Sequence, residues 1–361
     1  MARHQNSIAT KALKARAATS RDSGRFERFT RADFSDGWDI DEDVSVERTT
    51  VSDEVPRTAI NYVRSPDLPF DRSINVYRGC EHGCIYCFAR PTHAYLGLSP
   101  GLDFETRLIA RPGIAQVLER ELRARKYSVA TMAMGTNTDP YQPVEKDRQI
   151  TRDVLKILQA SNHPVGIVTK GTLIERDIDI LSKMATEGLV RVGISVTTLD
   201  PHLSRKMEPR APAPARRLET IRRLTRAGIP VRVMASPVVP ALTDPELEAI
   251  LEAAKDAGAD AASYIMLRLP LEVSPLWQDW LDTHYPNRAT RVMGLLRDMH
   301  GGKDYEAAWG KRMRGEGSYA DLIAQRFALA TKRLGLAVKT PPLRTDLFRP
   351  PPRAGDQLSL F

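Results

Sequence analysis

The chain's three cysteines fall within eight residues, at Cys80, Cys84 and Cys87. The segment reads Ile74-Asn-Val-Tyr-Arg-Gly79-Cys80-Glu-His-Gly83-Cys84-Ile-Tyr86-Cys87. Thiolates spaced C-x3-C-x2-C, with Gly79 and Gly83 letting the loop wrap tightly, suit an iron–sulfur cluster. Three thiolates leave one iron of a [4Fe–4S] cube open to an outside ligand, and an open metal position serves chemistry. The same sulfurs could hold a structural zinc with a Cys3His set, for which His82 and His93 are near enough in sequence. Such a zinc usually joins two C-x2-C knuckles, and no second knuckle is present. Three cysteines in 361 residues exclude a disulfide framework.

The elements that must position this loop follow from apolar patterning. Short β-branched runs recur at 74–77, 129–134, 165–169, 190–196, 231–235 and 262–267. Between them lie stretches with helical spacing, such as Ile114, Val117, Leu118 and Leu122, or Leu247, Ile250, Leu251 and Ala254. Six strands with five intervening helices predict an α/β fold with a parallel sheet and right-handed crossovers. Six units are too few for an eight-fold barrel, so a partial, partly open (β/α)6 barrel is expected over residues 56–275. The cysteine loop then follows the first strand, on the carboxyl-end face where barrel active sites sit. Beyond Pro270, helices are expected at 288–300, 303–314 and 318–334, and a short strand at 336–340. They make a C-terminal helical extension over 276–345. Residues 1–55 carry a basic half and then an acidic half without apolar periodicity, and predict a disordered N-terminal tail. Residues 346–361 read as a Pro-rich tail ending in Gln357-Leu-Ser-Leu-Phe361.

The net charge of +8, with 42% hydrophobic and 27% charged residues, describes an ordinary globular chain. It permits an anionic partner without demanding one. No run of eighteen apolar residues occurs, so a membrane-spanning helix is not expected, and the N-terminus lacks a signal-peptide stretch. A cytoplasmic protein is expected.

The motif C-x3-C-x-aromatic-C, with Tyr86 as the aromatic, resembles the radical SAM superfamily. Arg78-Gly-Cys-Glu-His-Gly-Cys-Ile-Tyr-Cys87 and Gly135-Thr-Asn-Thr-Asp-Pro-Tyr-Gln-Pro-Val-Glu145 more narrowly resemble the subgroup grouped with spore photoproduct lyase, often labelled "DNA repair photolyase". The resemblance implies that Cys80, Cys84 and Cys87 hold a [4Fe–4S] cluster whose open iron binds S-adenosylmethionine (SAM). An electron from a flavodoxin- or ferredoxin-type donor would cleave the sulfonium, and a 5′-deoxyadenosyl radical would take hydrogen from the substrate. It also implies that Gly135, Thr136, Asn137, Thr138 and Asp139 contact the SAM amino group. Their physical chemistry agrees, since an ammonium wants carbonyls, hydroxyls and a carboxylate.

Ser195 and Thr197 share one face of the fourth strand and are candidates for the ribose. Tyr141, Lys170 and Arg268 are candidate catalytic residues. Spore photoproduct lyases use an additional cysteine as hydrogen donor, whereas every cysteine here belongs to the cluster motif. Trp277 and Trp280 have helical spacing and are expected as core anchors rather than a base-stacking platform. Gln357, Leu358, Leu360 and Phe361 resemble the pentapeptide with which bacterial repair proteins dock on the sliding clamp. The expected function is a radical SAM enzyme, lyase- or repair-like, acting on nucleic acid or a nucleobase. The rivals are a radical SAM enzyme for a small metabolite or protein side chain, and a zinc-stabilised, clamp-recruited adaptor.

Overall fold

The computed structural model describes residues 15–27 and 48–352. Its strands are β1 (Thr50–Asp53), β2 (Ile60–Tyr62), β3 (Arg72–Ile74), β4 (Tyr77–Arg78), β5 (Arg107–Ala110), β6 (Met132–Met134), β7 (Val165–Thr169), β8 (Val190–Ser195), β9 (Val231–Val238) and β10 (Ala261–Met266). Six of them lie side by side in chain order, β3-β6-β7-β8-β9-β10, all parallel, and β2 joins the β3 edge antiparallel. They answer the six apolar runs. Helices Ile114–Leu122, Ile150–Ala160, Ile178–Thr186, Pro214–Arg226 and Leu247–Asp256 make the five crossovers and turn their apolar stripes to the core, with Ile178 and Leu218 at its half-buried edge. The ladder runs from β2 to β10 without closing on itself, so the barrel is partial and open.

Strand alternation explains both the core and the hollow. In β7, Val165, Ile167 and Thr169 are buried, while Gly166 and Val168 face the other way and Val168 lines the interior. The far layer is built on aromatic and aliphatic side chains. Trp277 and Trp280 are buried with ring centroids 5.0 Å apart, and the Trp280 indole donates to the Lys206 carbonyl at 3.1 Å. They are core anchors, as expected. No helix among the described residues is long and apolar enough to cross a membrane.

Several expectations need correction. The segment 303–314 is not a helix but a turn-rich loop, with Gly310 inside it and Gly301, Gly302 and Gly315 flanking it, all at positive φ. Glycine disfavours helix, and the loop is instead held by tertiary bonds. Gly310 N–H and the Arg312 guanidinium each donate to Asp67 at 2.8 Å, and Met266 N–H donates to the Met313 carbonyl at 2.9 Å. The strand at 336–340 is reduced to one bridge, Ala261 to Ala337. The boundary placed at residue 276 falls inside helix Val273–His284. Residues 1–55 are not uniformly tail: Arg16, Ala17 and Ala18 are buried, and β1 pairs with β5 in a second sheet ordered β1-β5-β4. Sequence periodicity misses these pieces because long-range bonds hold them, such as the ladder of β1 on β5, rather than a periodic apolar face of their own.

Residues 336–352 form a strap across the amino-terminal ends of the strands. The Arg232 guanidinium donates to the Val338 carbonyl at 3.1 Å, and Arg191 to that of Pro341 at 3.4 Å. Arg349 N–H donates to Ser161 at 3.0 Å, and Arg123 to the Pro351 carbonyl at 3.0 Å. The start of the proline run therefore lies against the body.

Phe348 of the strap covers His163, with ring centroids 5.5 Å apart. His163 Nδ1–H donates to the Pro164 carbonyl at 3.0 Å, which leaves Nε2 to accept from the Tyr127 hydroxyl at 2.6 Å. Burial pulls the His163 imidazole down to about 4. Unfolded, the same ring titrates near 6.5, so between these values the unfolded state binds a proton that the folded state refuses. We expect stability to be intact above pH about 6.5 and to fall toward pH 4 by about 3 kcal/mol from this group. Denaturant midpoints across that range should show the acid limb flattened in His163→Gln.

Candidate active site at the carboxyl ends of the strands

Five of the six parallel strands, β6 to β10, and the cysteine loop deliver residues to one cavity of about 190 Å³. The cysteine loop follows β4, Gly135–Asp139 follow β6, Lys170 follows β7, Ser195 ends β8, and Ser236 and Met266 come from β9 and β10, with Arg268 just beyond. Cys80, Cys84 and Cys87 all line it. The loop's tight wrap requires its glycines. Gly79 has φ +78°, and a Cβ there would lie 2.8 Å from Leu108 Cδ2 and 2.9 Å from the Phe104 carbonyl oxygen. Gly83, at φ +64°, would meet the Glu105 carboxylate at 2.7 Å. Gly135 is tighter still, with a Cβ falling 1.9 Å from the Val168 carbonyl oxygen.

Behind the loop sits a buried ion pair, Arg90 with Glu105, at 2.5 Å and with neither side chain exposed. The guanidinium also donates to the carbonyls of Cys84 (2.9 Å), Gly83 (3.1 Å), Pro100 (3.1 Å) and Gly101 (2.8 Å). Glu105 in turn accepts from the amides of Ala17 (3.2 Å) and Ala18 (3.0 Å). Gln142 holds the loop from the other side. Its oxygen accepts from Glu81 N–H at 2.8 Å, and its amide donates to Thr138 at 2.9 Å. The Thr138 hydroxyl then donates to the Gly79 carbonyl at 2.7 Å.

Burial pushes the Cys80 thiol well up and the Cys84 thiol up to about 12, with the Lys170 ammonium pulling Cys84 the other way. Metal binding at these sulfurs therefore releases protons. Among the described residues, no three His, Cys, Asp or Glu side chains converge as ligands of a single metal ion do. His93 Nε2 is bonded to the Arg107 carbonyl at 3.1 Å, and His82 Nδ1 lies 3.3 Å from Asp139. The three sulfurs lining one cavity, in a cradle that admits no Cβ, fit a cluster bound by three thiolates.

The structure brings most of the predicted residues together but uses several of them differently. The Asp139 carboxylate accepts from Tyr141 N–H (2.9 Å), Thr169 Oγ1 (2.5 Å) and Lys170 N–H (2.8 Å), besides His82. Burial alone would raise it, but His82 and these donors hold it down to about 2. It is a brace between β6, β7 and the cysteine loop. Thr138 is likewise engaged. Gly135, Thr136 and Asn137 remain on the cavity wall, with Thr136 and Asn137 reaching only Asn75 Oδ1 at 3.4 and 3.2 Å.

Thr197 does not face the cavity as expected, since its hydroxyl donates to Glu208 at 2.7 Å; Ser195 does. Tyr141 is displaced as well. It points outward from the Pro140 turn, fully buried, and donates to Asp177 at 3.1 Å. Lys170 lines the cavity with Nζ 4.0 Å from Glu208 and 5.6 Å from the Tyr86 ring centroid. Glu208 was not foreseen. It accepts from Tyr86 and from the buried Arg217, and these partners with Lys170 outweigh its burial and hold it at about 2. Arg268 lines the cavity with its guanidinium 4.4 Å from the Phe88 ring, and burial pulls it below its ordinary value. The tail residues Gln357, Leu358, Leu360 and Phe361 lie outside the described residues.

The radical SAM superfamily profile matches residues 74–254, and the chain belongs to that superfamily. It is therefore an enzyme of the radical SAM class, and the adaptor reading gives way. A Mycobacterium tuberculosis protein of uncharacterised function is 38% identical over 244 residues, 67% of this chain and 72% of the relative. A Methanocaldococcus jannaschii protein, also uncharacterised, is 26% identical over 213 residues, 59% of this chain and 76% of that one. The solved structure of spore photoproduct lyase complexed with dinucleoside spore photoproduct matches with a TM-score of 0.58 at 15% identity, covering 81% of this chain and 82% of that one. That likeness is one of fold.

Arg90→Met leaves Glu105 buried without its cation, and should cost about 3–5 kcal/mol by chemical denaturation. Iron uptake on anaerobic reconstitution should fall in parallel. Uptake at the normal level in a folded Arg90→Met protein would show that the ion pair does not shape the loop.

Proposed function

We propose that this radical SAM enzyme takes hydrogen from a nucleic acid or one of its nucleobases. The observation that carries the reading is a second, larger cavity of about 1040 Å³ that shares Phe88, Gly135, Met234 and Arg268 with the first. Its wall holds five arginines, Arg64, Arg78, Arg111, Arg268 and Arg312, and no Asp or Glu. Such a wall selects an anion, and the aromatic rings among its residues suit a planar base. Spore photoproduct lyase, with which the chain shares its fold, has been solved with a dinucleoside lesion and with AdoMet bound.

In this reading Cys80, Cys84 and Cys87 hold the [4Fe–4S] cluster. Gly135, Thr136, Asn137 and Ser195 are the wall groups open to SAM, and Lys170 is the cation placed for its carboxylate. When bound, the two cofactors supply a 5′-deoxyadenosyl radical by reductive cleavage of the sulfonium. The chain's own part is to orient them: Asp139 fixes the ends of β6 and β7, and Glu208 fixes Tyr86 and Lys170. Arg268, at the neck between the cavities, holds the substrate's anionic group. The three cysteines are all assigned to one cluster, so the electron comes from an external flavodoxin- or ferredoxin-type donor. The lysis reaction of spore photoproduct lyase is not carried over, because this chain has no fourth cysteine.

Reconstituted protein should carry about four iron per chain and form 5′-deoxyadenosine on reduction. Cys→Ala at position 80, 84 or 87 should abolish both. Deuterium should pass into 5′-deoxyadenosine from a labelled oligonucleotide and not from unlabelled controls. Transfer from small metabolites alone would overturn the substrate class.

The strap places residue 352 on the barrel face opposite the cavities. A clamp-docking tail leaving from there would leave the active-site mouth unobstructed, and this motivates the Gln357–Phe361 proposal. A peptide of residues 350–361 should bind the sliding clamp with micromolar-scale affinity. Removal of Leu360 and Phe361 should abolish that binding.

A further inference from the structure

We propose that the rim of the larger cavity is a binding platform for single-stranded nucleic acid, with unpaired bases stacked on arginine-backed aromatic rings. This rests on the nucleic-acid reading above and goes beyond it, because it assigns a polymer and a strand state.

The large aromatic side chains that stand strongly exposed among the described residues are Phe26, Tyr62, Phe88, Tyr95 and Trp309, between 44% and 70% exposed. All five belong to one face. Tyr62, Phe88, Tyr95 and Trp309 line the larger cavity, and Phe26 packs on Tyr95 with ring centroids 4.9 Å apart. Exposed aromatic area is costly to keep in water, and its concentration around one mouth marks a surface that is covered in use.

Each ring also carries a guanidinium. Arg312 lies 4.3 Å from the Trp309 centroid and Arg268 4.4 Å from that of Phe88. Arg25 lies 4.9 Å from Phe26 and 5.1 Å from Tyr95, and Arg72 lies 5.5 Å from Tyr62. An arginine over one face leaves the other face for a base, and Arg268 and Arg312 on the cavity wall keep a cation within reach of the adjoining phosphate, whereas Arg72 is buried against Asp71 and only backs its ring. The acidic partners are not among the wall residues: Asp67 pairs with Arg312, Glu54 with Arg78 and Arg111, Glu272 with Arg25 and Asp71 with Arg72. Arg268 and Arg64 have no carboxylate partner among the described residues.

Three features favour a single strand over other occupants. Five rings around one mouth are more than one nucleoside can cover, which points to several consecutive bases. A duplex hides its base faces in its own stack and offers nothing to these rings. An acidic peptide would use the arginines and leave the aromatic faces bare.

The test measures fluorescence anisotropy of the full-length protein with a labelled twelve-nucleotide strand, a blunt duplex of the same sequence and unlabelled poly-glutamate as competitor. The strand should bind at least about tenfold more tightly than the duplex, with affinity falling as salt rises. Trp309→Ala and Tyr95→Ala should each weaken strand binding by about fivefold or more. Trp309→Phe and Tyr95→Phe should stay near the parent, since any aromatic face serves. Equal or tighter duplex binding, displacement by poly-glutamate as effective as by unlabelled strand, or losses in the Phe variants as large as in the Ala variants would each overturn the platform. A nucleoside monophosphate that binds with no gain from added strand length would overturn it while leaving the nucleobase reading intact. Failure of strand and mononucleotide alike, in protein that still cleaves SAM, would overturn both.

Discussion

A guanidinium with no access to water governs the architecture of the site. Arg90 sits at the back of the cysteine loop, fully buried, and must satisfy its donors from protein alone. It does so with four backbone carbonyls and Glu105, and those carbonyls belong to the loop between Gly83 and Gly101. The loop's one regular element is a short 3-10 helix at Arg90–Leu96, and its turns on either side converge on this one cation. Glu105 extends the same constraint outward, through the amides of Ala17 and Ala18, to the chain's N-terminal part. A segment that looks featureless in composition thereby becomes part of the wall behind the cysteine loop.

The polar groups nearest the cysteines divide into braces and open positions. Asp139, Thr138, Gln142 and Glu208 spend their hydrogen-bonding capacity on other protein groups, and each ties two strand ends or a strand end to the loop. Thr136, Asn137, Ser195 and Arg268 line the hollow. Preorganisation of this kind fixes the cofactor wall before any ligand arrives, so that little of the binding energy goes into ordering it. It also explains why a carboxylate at a strand end need not touch the ligand beside it: the low proton affinity of Asp139 follows from the donors gathered around it.

The six parallel strands, the five crossover helices and the place of the cysteine loop were legible in the sequence. Each leaves a local trace: β-branched runs, apolar positions three and four apart, or close-spaced thiols. The roles of Thr197, Asp139 and Tyr141 were not, because strand alternation says which side a residue faces and not which partner waits there. Glu208 and Arg217 are a buried pair from a loop and the following helix, with no periodicity to expose them. The segment 303–314 reads as a helix because its composition allows one, but Gly310, the glycines that flank it and the tertiary bonds to Asp67 decide otherwise. The aromatic rim is invisible for the same reason, since Phe26, Tyr62, Tyr95 and Trp309 come from four separate stretches of chain.

The strap beneath the barrel has a consequence for biosynthesis. Its bonds to Arg232, Arg191, Ser161 and Arg123 reach back to strands and helices made much earlier. At roughly 5–20 residues per second, some seconds separate the appearance of β10 from that of residue 352 on the ribosome. During that interval the sheet has its crossovers but lacks its lower tie. The nascent barrel therefore passes through a stage with its amino-terminal end uncovered and His163 still wet, and the last residues of the strap complete an interior that the rest of the chain has already built.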